Sequence, residues 1–136
     1  MKKGKSIYIK VRGYHLDFYQ HVNNARYLEF LEEARWEVFD KTFRSGFLEK
    51  QNLSFVLVNV NISYRHAAFL HDEVRVDTYL KKLGSRSVTV NQQVMNDKTG
   101  ALVADADVTF VLVDNTAMKA VSLTDEFIAS LDVCFG

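Results

Sequence analysis

The chain has 136 residues, of which 48% are hydrophobic and 25% charged. This composition is typical of one folded domain and excludes a disordered chain. The 17 basic and 17 acidic residues give a net charge of zero, which excludes nucleic-acid or acidic-membrane binding through bulk charge and leaves only a local basic patch open. No apolar run approaches the ~20 residues of a membrane-spanning helix.

Cys134 is the only cysteine, which excludes an internal disulfide and a thiolate metal cluster. The basic N-terminus is not followed by an apolar run, which argues against a signal peptide. The sequence has no repeat or linker. We therefore expect a single domain over residues 1–136 and a cytoplasmic location.

The first part of the chain predicts a strand, a loop and a long helix. Apolar residues alternate over residues 7–11, which predicts a strand, and the alternation is lost over residues 14–22. Over residues 24–43 they recur at helical spacing and cover a broad arc, which indicates a helix enclosed by a curved sheet. Asn23 is the predicted N-cap of this helix and Gly46 the predicted end of the helical region.

The remainder of the chain predicts antiparallel strands. Alternating apolar residues mark strands within residues 56–64, 74–80, 88–94 and 103–113, and a short strand within residues 118–121. Gly100 closes a predicted hairpin turn, and Thr124 caps a predicted final helix over residues 125–131.

One long helix with four or five antiparallel strands makes an α+β domain. A single helix covers only one face of a sheet. Apolar residues are nevertheless predicted on the other face, at Leu57, Tyr79, Met95 and Val111. We therefore expect another subunit to cover part of that face.

Polar residues concentrate in the loop that leads into the long helix, where Asp17 and His21 precede Asn23 and Asn24. A carboxylate close to the free N–H groups of a helix N-terminus suits acyl transfer, because the carboxylate attacks or activates water and the N–H groups stabilise an oxyanion. Spacing alone favours a simpler alternative, in which Asp17 and Asn23 only cap the turn and the helix. The two histidines of this loop, His15 and His21, do not have the spacing that is usual for a pair of metal ligands.

The pattern Asp-x-x-x-His-Val-Asn-Asn-x-x-Tyr-x-x-x-x-Glu-x-Ala-Arg at Asp17–Arg35 resembles the 4-hydroxybenzoyl-CoA thioesterase family of hot-dog folds. The resemblance extends through residues 55–65 and 103–111 and is greatest to the bacterial long-chain acyl-CoA thioesterases of this family. It implies a hot-dog fold, in which a curved antiparallel sheet wraps around one long central helix. It also implies homodimers or homotetramers with active sites at the subunit interface, acyl-CoA as the substrate, and no metal or cofactor.

The same resemblance implies roles for individual residues. Asp17 matches the catalytic carboxylate, which acts as nucleophile or as general base for water, and the backbone N–H of Asn24 matches the group that polarises the thioester carbonyl. His21 has an implied supporting role, with a merely hydrogen-bonded loop histidine as the alternative. Gln20 replaces the glycine that often precedes this histidine, and Arg35 is expected to be structural.

CoA carries phosphates, so the substrate channel is expected to contain cations. Arg86 is the first candidate, with Ser87 beside it, followed by Arg65 and Lys82; the alternative is that these are ordinary solvated side chains. The predicted acyl pocket draws on five apolar residues, namely Phe18, Tyr19, Phe55, Val56 and Leu57.

Two other functions fit a hot-dog domain. A binding module would hold acyl-CoA or an acyl carrier protein without turnover, because fold does not determine function. A dehydratase would need a catalytic histidine in a different loop pattern, which His21 does not match. Thioester hydrolysis is preferred because Asp17, the asparagine pair and the helix start occur in register.

Overall fold

The computed structural model describes all residues from 1 to 136, and it contains one long helix and a seven-stranded antiparallel sheet. The elements are β1 (Lys2–Lys3), β2 (Ile7–Lys10), a 3₁₀ turn (Gly13–His15), α1 (Asn24–Val38), α2 (Asp40–Arg44), α3 (Phe47–Lys50), β3 (Leu53–Tyr64), β4 (Glu73–Leu83), β5 (Ser87–Asn96), β6 (Leu102–Asp114), β7 (Lys119–Ala120) and α4 (Asp125–Phe135). None of the helices combines the length and the apolarity needed to cross a membrane.

The strands follow the order β1-β4-β5-β6-β3, with β2 also paired to β4 and β7 paired to β6. Apolar side chains on one face of the sheet form the core, among them Val76, Val90 and Val108, which are fully buried. Helix α1 packs on this face and buries five of its own side chains, namely Tyr27, Phe30, Leu31, Ala34 and Val38. The predicted α+β architecture, a curved sheet around one central helix, is confirmed.

The long helix is shorter than predicted. It ends at Val38 and not at Phe43, because Phe39 leaves the helical conformation with φ −93° and ψ 8°. The Phe39 ring is buried and contacts the rings of Phe55 and Phe135 at centroid distances of 5.6 and 5.8 Å. Aromatic packing here overrides the helical period of the sequence. Gly46 ends α2 as predicted, because it follows the C-cap residue Ser45 in the left-handed conformation with φ 72°, although the short helix α3 begins directly after it.

Strand β3 contains an irregularity that simple alternation missed. Its pairing with β6 shifts by one residue between Leu57 and Asn59. A one-residue bulge moves the side chains on one side of it to the opposite face. Leu57 therefore lies with Phe55 on the inner face, where both line a cavity. The prediction that Leu57 lies on the outer face is wrong.

The predicted caps and turns are present. Asn23 Oδ1 accepts a hydrogen bond from the Ala25 N–H at 2.9 Å, and Thr124 Oγ1 accepts one from the Phe127 N–H at 3.1 Å. Gly100 has φ 75° in the turn between β5 and β6, a conformation that glycine adopts without a steric penalty. These local signals are correct because each depends on one side chain or one φ angle.

Candidate active site

Asp17 opens a tight turn that positions its carboxylate. The Asp17 N–H donates to the His21 carbonyl at 3.0 Å, and the Gln20 N–H donates to the Asp17 carbonyl at 3.0 Å. Asp17 Oδ1 accepts a hydrogen bond from the Tyr19 N–H at 2.8 Å. The other carboxylate oxygen, Oδ2, lies 3.9 Å from His21 Nδ1, too far for a hydrogen bond. One carboxylate oxygen is therefore bound by the turn, while the other remains available.

The turn is anchored to the connection between β3 and β4. The His21 backbone pairs with Phe69, and the Val22 N–H donates to the Ala68 carbonyl at 2.9 Å. Gln20 has φ 68°, a left-handed conformation that a glycine reaches more easily than a glutamine. The backbone thus adopts a glycine-like conformation although the side chain is large.

The start of α1 leaves one backbone donor free. Asn23 accepts hydrogen bonds from the N–H groups of the second and third residues of the helix: its side chain accepts from Ala25, and its carbonyl accepts from Arg26 at 2.9 Å. The Asn24 N–H, in contrast, has no hydrogen-bond acceptor within the chain. Unpaired N–H groups and the positive end of the helix dipole make such a position a site for developing negative charge.

A cavity of about 190 Å³ connects the turn to the helix start. It is lined by His21, Val22, Asn24, Tyr27, Tyr64, Arg65, His66 and Ala67. Ligand pockets of drug-sized molecules usually measure roughly 300–1,000 Å³. The cavity of a single chain is therefore smaller than such a pocket.

Two tyrosines form one wall of this cavity. Burial is the main cause that raises the pKa of Tyr27 to about 12, and the negative charges of Asp72 and Asp17 make smaller contributions to this rise. Tyr27 therefore stays protonated at neutral pH. Tyr64 donates a hydrogen bond from its hydroxyl to the Asn24 carbonyl at 3.2 Å and so joins β3 to the start of α1. Sequence analysis did not single out Tyr64; its position next to Arg65 at the end of a strand was the available signal.

The predicted phosphate-binding residues do not lie together. Arg65 lines the cavity, where it also forms an exposed ion pair with Asp105 at 3.0 Å. Arg86, Ser87 and Lys82 lie at the opposite end of the sheet, because β4 has 11 residues and extends roughly 35 Å at ~3.3 Å per residue. Within one chain, these three residues do not reach Asp17.

The predicted acyl-pocket residues also separate into groups. Phe55 and Leu57 line a second cavity further along α1, while Val56 points to the opposite face of the sheet. Phe18 and Tyr19 lie on the turn beside Asp17 and are 90% and 75% exposed. Arg35, expected to be structural, lines the same second cavity as Phe55 and Leu57.

The arrangement can support nucleophilic or base chemistry on a carbonyl. The Asp17 carboxylate has one free oxygen and lies in the turn whose His21 lines the same cavity as Asn24, although Asp17 itself is not among the lining residues. The structure contains no cluster of three or more His, Cys, Asp or Glu side chains that could hold a metal ion.

The chain belongs to the thioesterase-like superfamily, whose family model matches residues 11–131. This confirms the family and the hot-dog fold predicted from the sequence. The long-chain acyl-CoA thioesterase FadM of Escherichia coli is 46% identical over 124 residues, covering 91% of this chain and 94% of the relative. The acyl-CoA thioesterase YbgC of Haemophilus influenzae is 32% identical over 108 residues, covering 77% of each. The crystal structure of YbaW, a probable thioesterase from E. coli, superimposes with a TM-score of 0.88 at 44% identity, covering 96% of this chain and 98% of that one.

Proposed function

We propose that this protein is an acyl-CoA thioesterase that hydrolyses long-chain fatty acyl-CoA to a free fatty acid and CoA. The observation that carries the proposal is the unpaired Asn24 N–H at the start of α1, in one cavity with the turn that holds Asp17. The 46% identity to a long-chain acyl-CoA thioesterase over 91% of the chain supports the substrate class.

In the proposed reaction, Asp17 acts on the thioester carbonyl either directly or by activating water. In the direct route, the Asp17 carboxylate bonds to the carbonyl carbon as the C–S bond breaks, which gives an acyl–aspartyl anhydride and the CoA thiolate; water then cleaves the anhydride, regenerates Asp17 and supplies the proton of the CoA thiol. In the other route, Asp17 takes a proton from water as the water oxygen bonds to the carbonyl carbon, and this proton passes to the CoA sulfur as the C–S bond breaks. Both routes yield a fatty acid, CoA as a thiol and an unchanged Asp17. The Asn24 N–H stabilises the negative charge that develops on the carbonyl oxygen, and one such donor contributes ~3 kcal/mol. His21 orients the turn or the substrate, as its place between Asp17 and the cavity suggests.

We further propose that two copies pair through β3 and share their active sites. Strand β3 is an edge strand of 12 residues that pairs only with β6. Its exposed apolar side chains include Val56, Val58 and Tyr64, and long apolar edge strands tend to pair with another strand. Two-fold symmetry makes such a pairing antiparallel, so the Tyr64 end of one strand meets the Leu53 end of the other.

This pairing supports the predicted CoA contacts. Ser87 lies beside Val111 in the sheet, and Val111 lies beside Val56 of β3. A second copy would therefore bring its Arg86, Ser87 and Lys82 towards the cavity that contains Arg65. We propose that these residues bind the phosphates of CoA across the interface, with acyl-CoA as the only ligand and without a metal or cofactor. The unpaired Cys134 is compatible with the proposed cytoplasmic location.

The experiment that tests this function is free-thiol release from acyl-CoAs of increasing chain length, with Asp17→Asn beside the wild type. Asp17→Asn keeps the size of the side chain but removes the nucleophile and base, so we expect kcat to fall ~10²–10⁴-fold. Asp40→Asn serves as the matched control, because Asp40 forms an exposed ion pair with Arg44 away from the turn. Because the Cys134 thiol can react with the reagent that detects free thiols, the signal of the protein without substrate is subtracted as background.

Two outcomes would contradict the proposal in different ways. Normal activity in a folded Asp17→Asn protein would rule out the proposed mechanism. Tight acyl-CoA binding by the wild type without thiol release would instead identify a binding module.

A further inference from the structure

The loop that carries Asp17 follows directly after a buried histidine, His15. This residue ends the 3₁₀ turn and is only 7% exposed. Its ring packs edge-on against the Phe30 ring of α1, with the centroids 5.0 Å apart, and against the Tyr14 ring at 4.4 Å. The reaction proposed for Asp17 does not use this imidazole. A buried titratable group therefore adjoins the proposed active site without contacting the reacting atoms.

The hydrogen bonding of His15 requires the neutral imidazole. The Arg12 N–H donates to His15 Nδ1 at 2.9 Å. A backbone N–H can only donate, so Nδ1 carries no proton and the ring proton is on Nε2. A protonated imidazole carries a hydrogen on both nitrogens and accepts no such bond. Protonation of His15 would therefore break its hydrogen bond with Arg12.

The surroundings of the ring also favour the neutral form. Its titratable and charged neighbours are Tyr14 and Arg12 on the same turn, and Arg26 and Glu29 on α1, which pair with each other at 2.9 Å. No carboxylate forms an ion pair with His15. Burial is the main cause that lowers the pKa of His15, and the positive charge of Arg26 contributes to the lowering. The ring is therefore neutral at pH 7.

His15 also holds the backbone next to the proposed oxyanion donor. Its carbonyl accepts a hydrogen bond from the Asn23 N–H at 2.9 Å, and Asn23 directly precedes Asn24. Leu16 and Val22 close the same loop through an isolated β-bridge. Because the ring packs on α1, it fixes the carbonyl that holds Asn23. The position of the imidazole and the position of the helix start are thus linked through one hydrogen bond.

We propose that His15 is a positioning residue whose neutral imidazole holds the loop in its active arrangement, so that protonation of His15 stops hydrolysis. A charged ring would leave its apolar contacts and move into water, because a buried cation without a partner is costly. The His15 carbonyl would then release the Asn23 N–H, and the Asn24 N–H would lose its fixed orientation towards the substrate. This inference rests on the function proposed above and adds a dependence on pH to the same site.

The sign of the pH dependence follows from the direction of the shift. The pKa of His15 is lowered in the folded protein, so the active arrangement is complete above the ordinary histidine value of ~6.5. It is lost as the pH falls through the lowered pKa. Activity that depends on one deprotonated group falls about tenfold per pH unit below its pKa.

The pH profile of kcat/KM for lauroyl-CoA, followed by the loss of thioester absorbance, tests this role. In His15→Asn, the carboxamide oxygen is attached to Cγ, as Nδ1 is in histidine, so it still accepts from the Arg12 N–H but does not titrate. We expect His15→Asn to have activity within about threefold of the wild type above neutral pH. The fall in activity that begins below the pKa of His15 should be absent from this variant.

Two more variants separate positioning from packing. His15→Leu fills the apolar site but offers no acceptor to the Arg12 N–H. We expect its kcat to be about tenfold lower at neutral pH with little change in KM, because an oxyanion donor acts in the transition state. His71→Asn is the matched control: it removes an exposed histidine with φ 72°, a conformation that asparagine tolerates, and it should keep the wild-type profile.

NMR titration of the ring nitrogens follows the protonation of His15 without substrate. We expect the ring proton on Nε2 in neutral solution, and a change in the Asn23 amide signal at the same midpoint as the protonation of the ring. This measurement does not require hydrolysis. If the wild type released no thiol at any pH, the proposed function would fail, and the NMR titration alone would decide whether His15 holds the loop.

Two results would overturn the proposal. The same acidic fall in the wild type and in His15→Asn would assign the fall to another group, such as His21 or Asp17. An Asn23 amide signal that does not respond when His15 is protonated would show that the ring does not hold the loop. If His15→Leu does not fold, His15→Asn and the NMR titration decide the question.

Discussion

The two ends of α1 differ in what surrounds them and in what holds them in place. At the N-terminal end, Asp17 and the Asn24 N–H lie in a turn held by backbone hydrogen bonds, beside side chains exposed to solvent. At the C-terminal end, Phe39 is buried among other phenylalanine rings. The proposed active site therefore lies at one end of the helix, and the core anchors the other end. This division predicts that stability and activity respond to different substitutions.

Truncation of one phenylalanine at each end tests the division most strongly. Phe39→Ala removes a side chain that is 1% exposed, and we expect it to lower the free energy of unfolding by ~3–5 kcal/mol. Phe18→Ala removes a side chain that is 90% exposed, and it should change the free energy of unfolding by less than ~0.5 kcal/mol. Urea denaturation of both variants measures the difference. Similar losses would mean that the turn beside Asp17 contributes to the core.

A second substitution tests the polar connection between the helix and the sheet. Gln92 is fully buried; its amide nitrogen donates to the Leu31 carbonyl at 3.0 Å and to Thr78 Oγ1 at 2.9 Å, while its oxygen accepts from Arg35. Gln92→Leu leaves these partners unsatisfied, so we expect a loss of ~2–3 kcal/mol. Gln51→Leu, which removes an exposed hydrogen bond to Glu126, is the control and should have little effect in thermal unfolding.

Substitutions at the two helix caps should have smaller effects on stability, and only one of them should also affect activity. Asn23 caps the helix that begins at the proposed oxyanion donor, whereas Thr124 caps α4. Asn23→Ala and Thr124→Ala should each lower the free energy of unfolding by ~1 kcal/mol. Only Asn23→Ala should also reduce thiol release, because it alone loosens the first turn around Asn24. Equal activity in the two variants would argue against a precise role for the helix start.

Regular elements and local caps could be predicted from the sequence because the signals for them lie within a few residues. The Asn23 cap, the Thr124 cap and the Gly100 turn each follow from one residue type at one position. The break of the helix at Phe39 and the β3 bulge at Leu57 depend on contacts with distant parts of the chain. A periodic pattern does not contain that information.

The candidate site was predictable in part for the same reason. Asp17, His21 and Asn24 are close in sequence and come together around one turn and one helix start. The separation of Arg86 from them follows from the length of β4, and the cavity around Arg35 follows from the packing of α1 against β3 and β6. Both depend on tertiary structure. Arg35 in particular was expected to be structural, because a charged residue within an apolar arc gives no sign of an adjoining cavity.

The smallest predicted effect concerns Gln20, whose φ of 68° is unusual for a residue with a side chain. Gln20→Gly removes a left-handed penalty of ~1 kcal/mol but raises the entropy of the unfolded chain by a similar amount. We therefore expect a change of only a few tenths of a kcal/mol in thermal unfolding, and unchanged thiol release. Gln20→Val, which adds β-branching at the same φ, should instead destabilise the turn and lower activity. If the glycine variant lost activity, the Gln20 side chain itself would be acting at the site, and backbone geometry alone would not account for the position of Asp17.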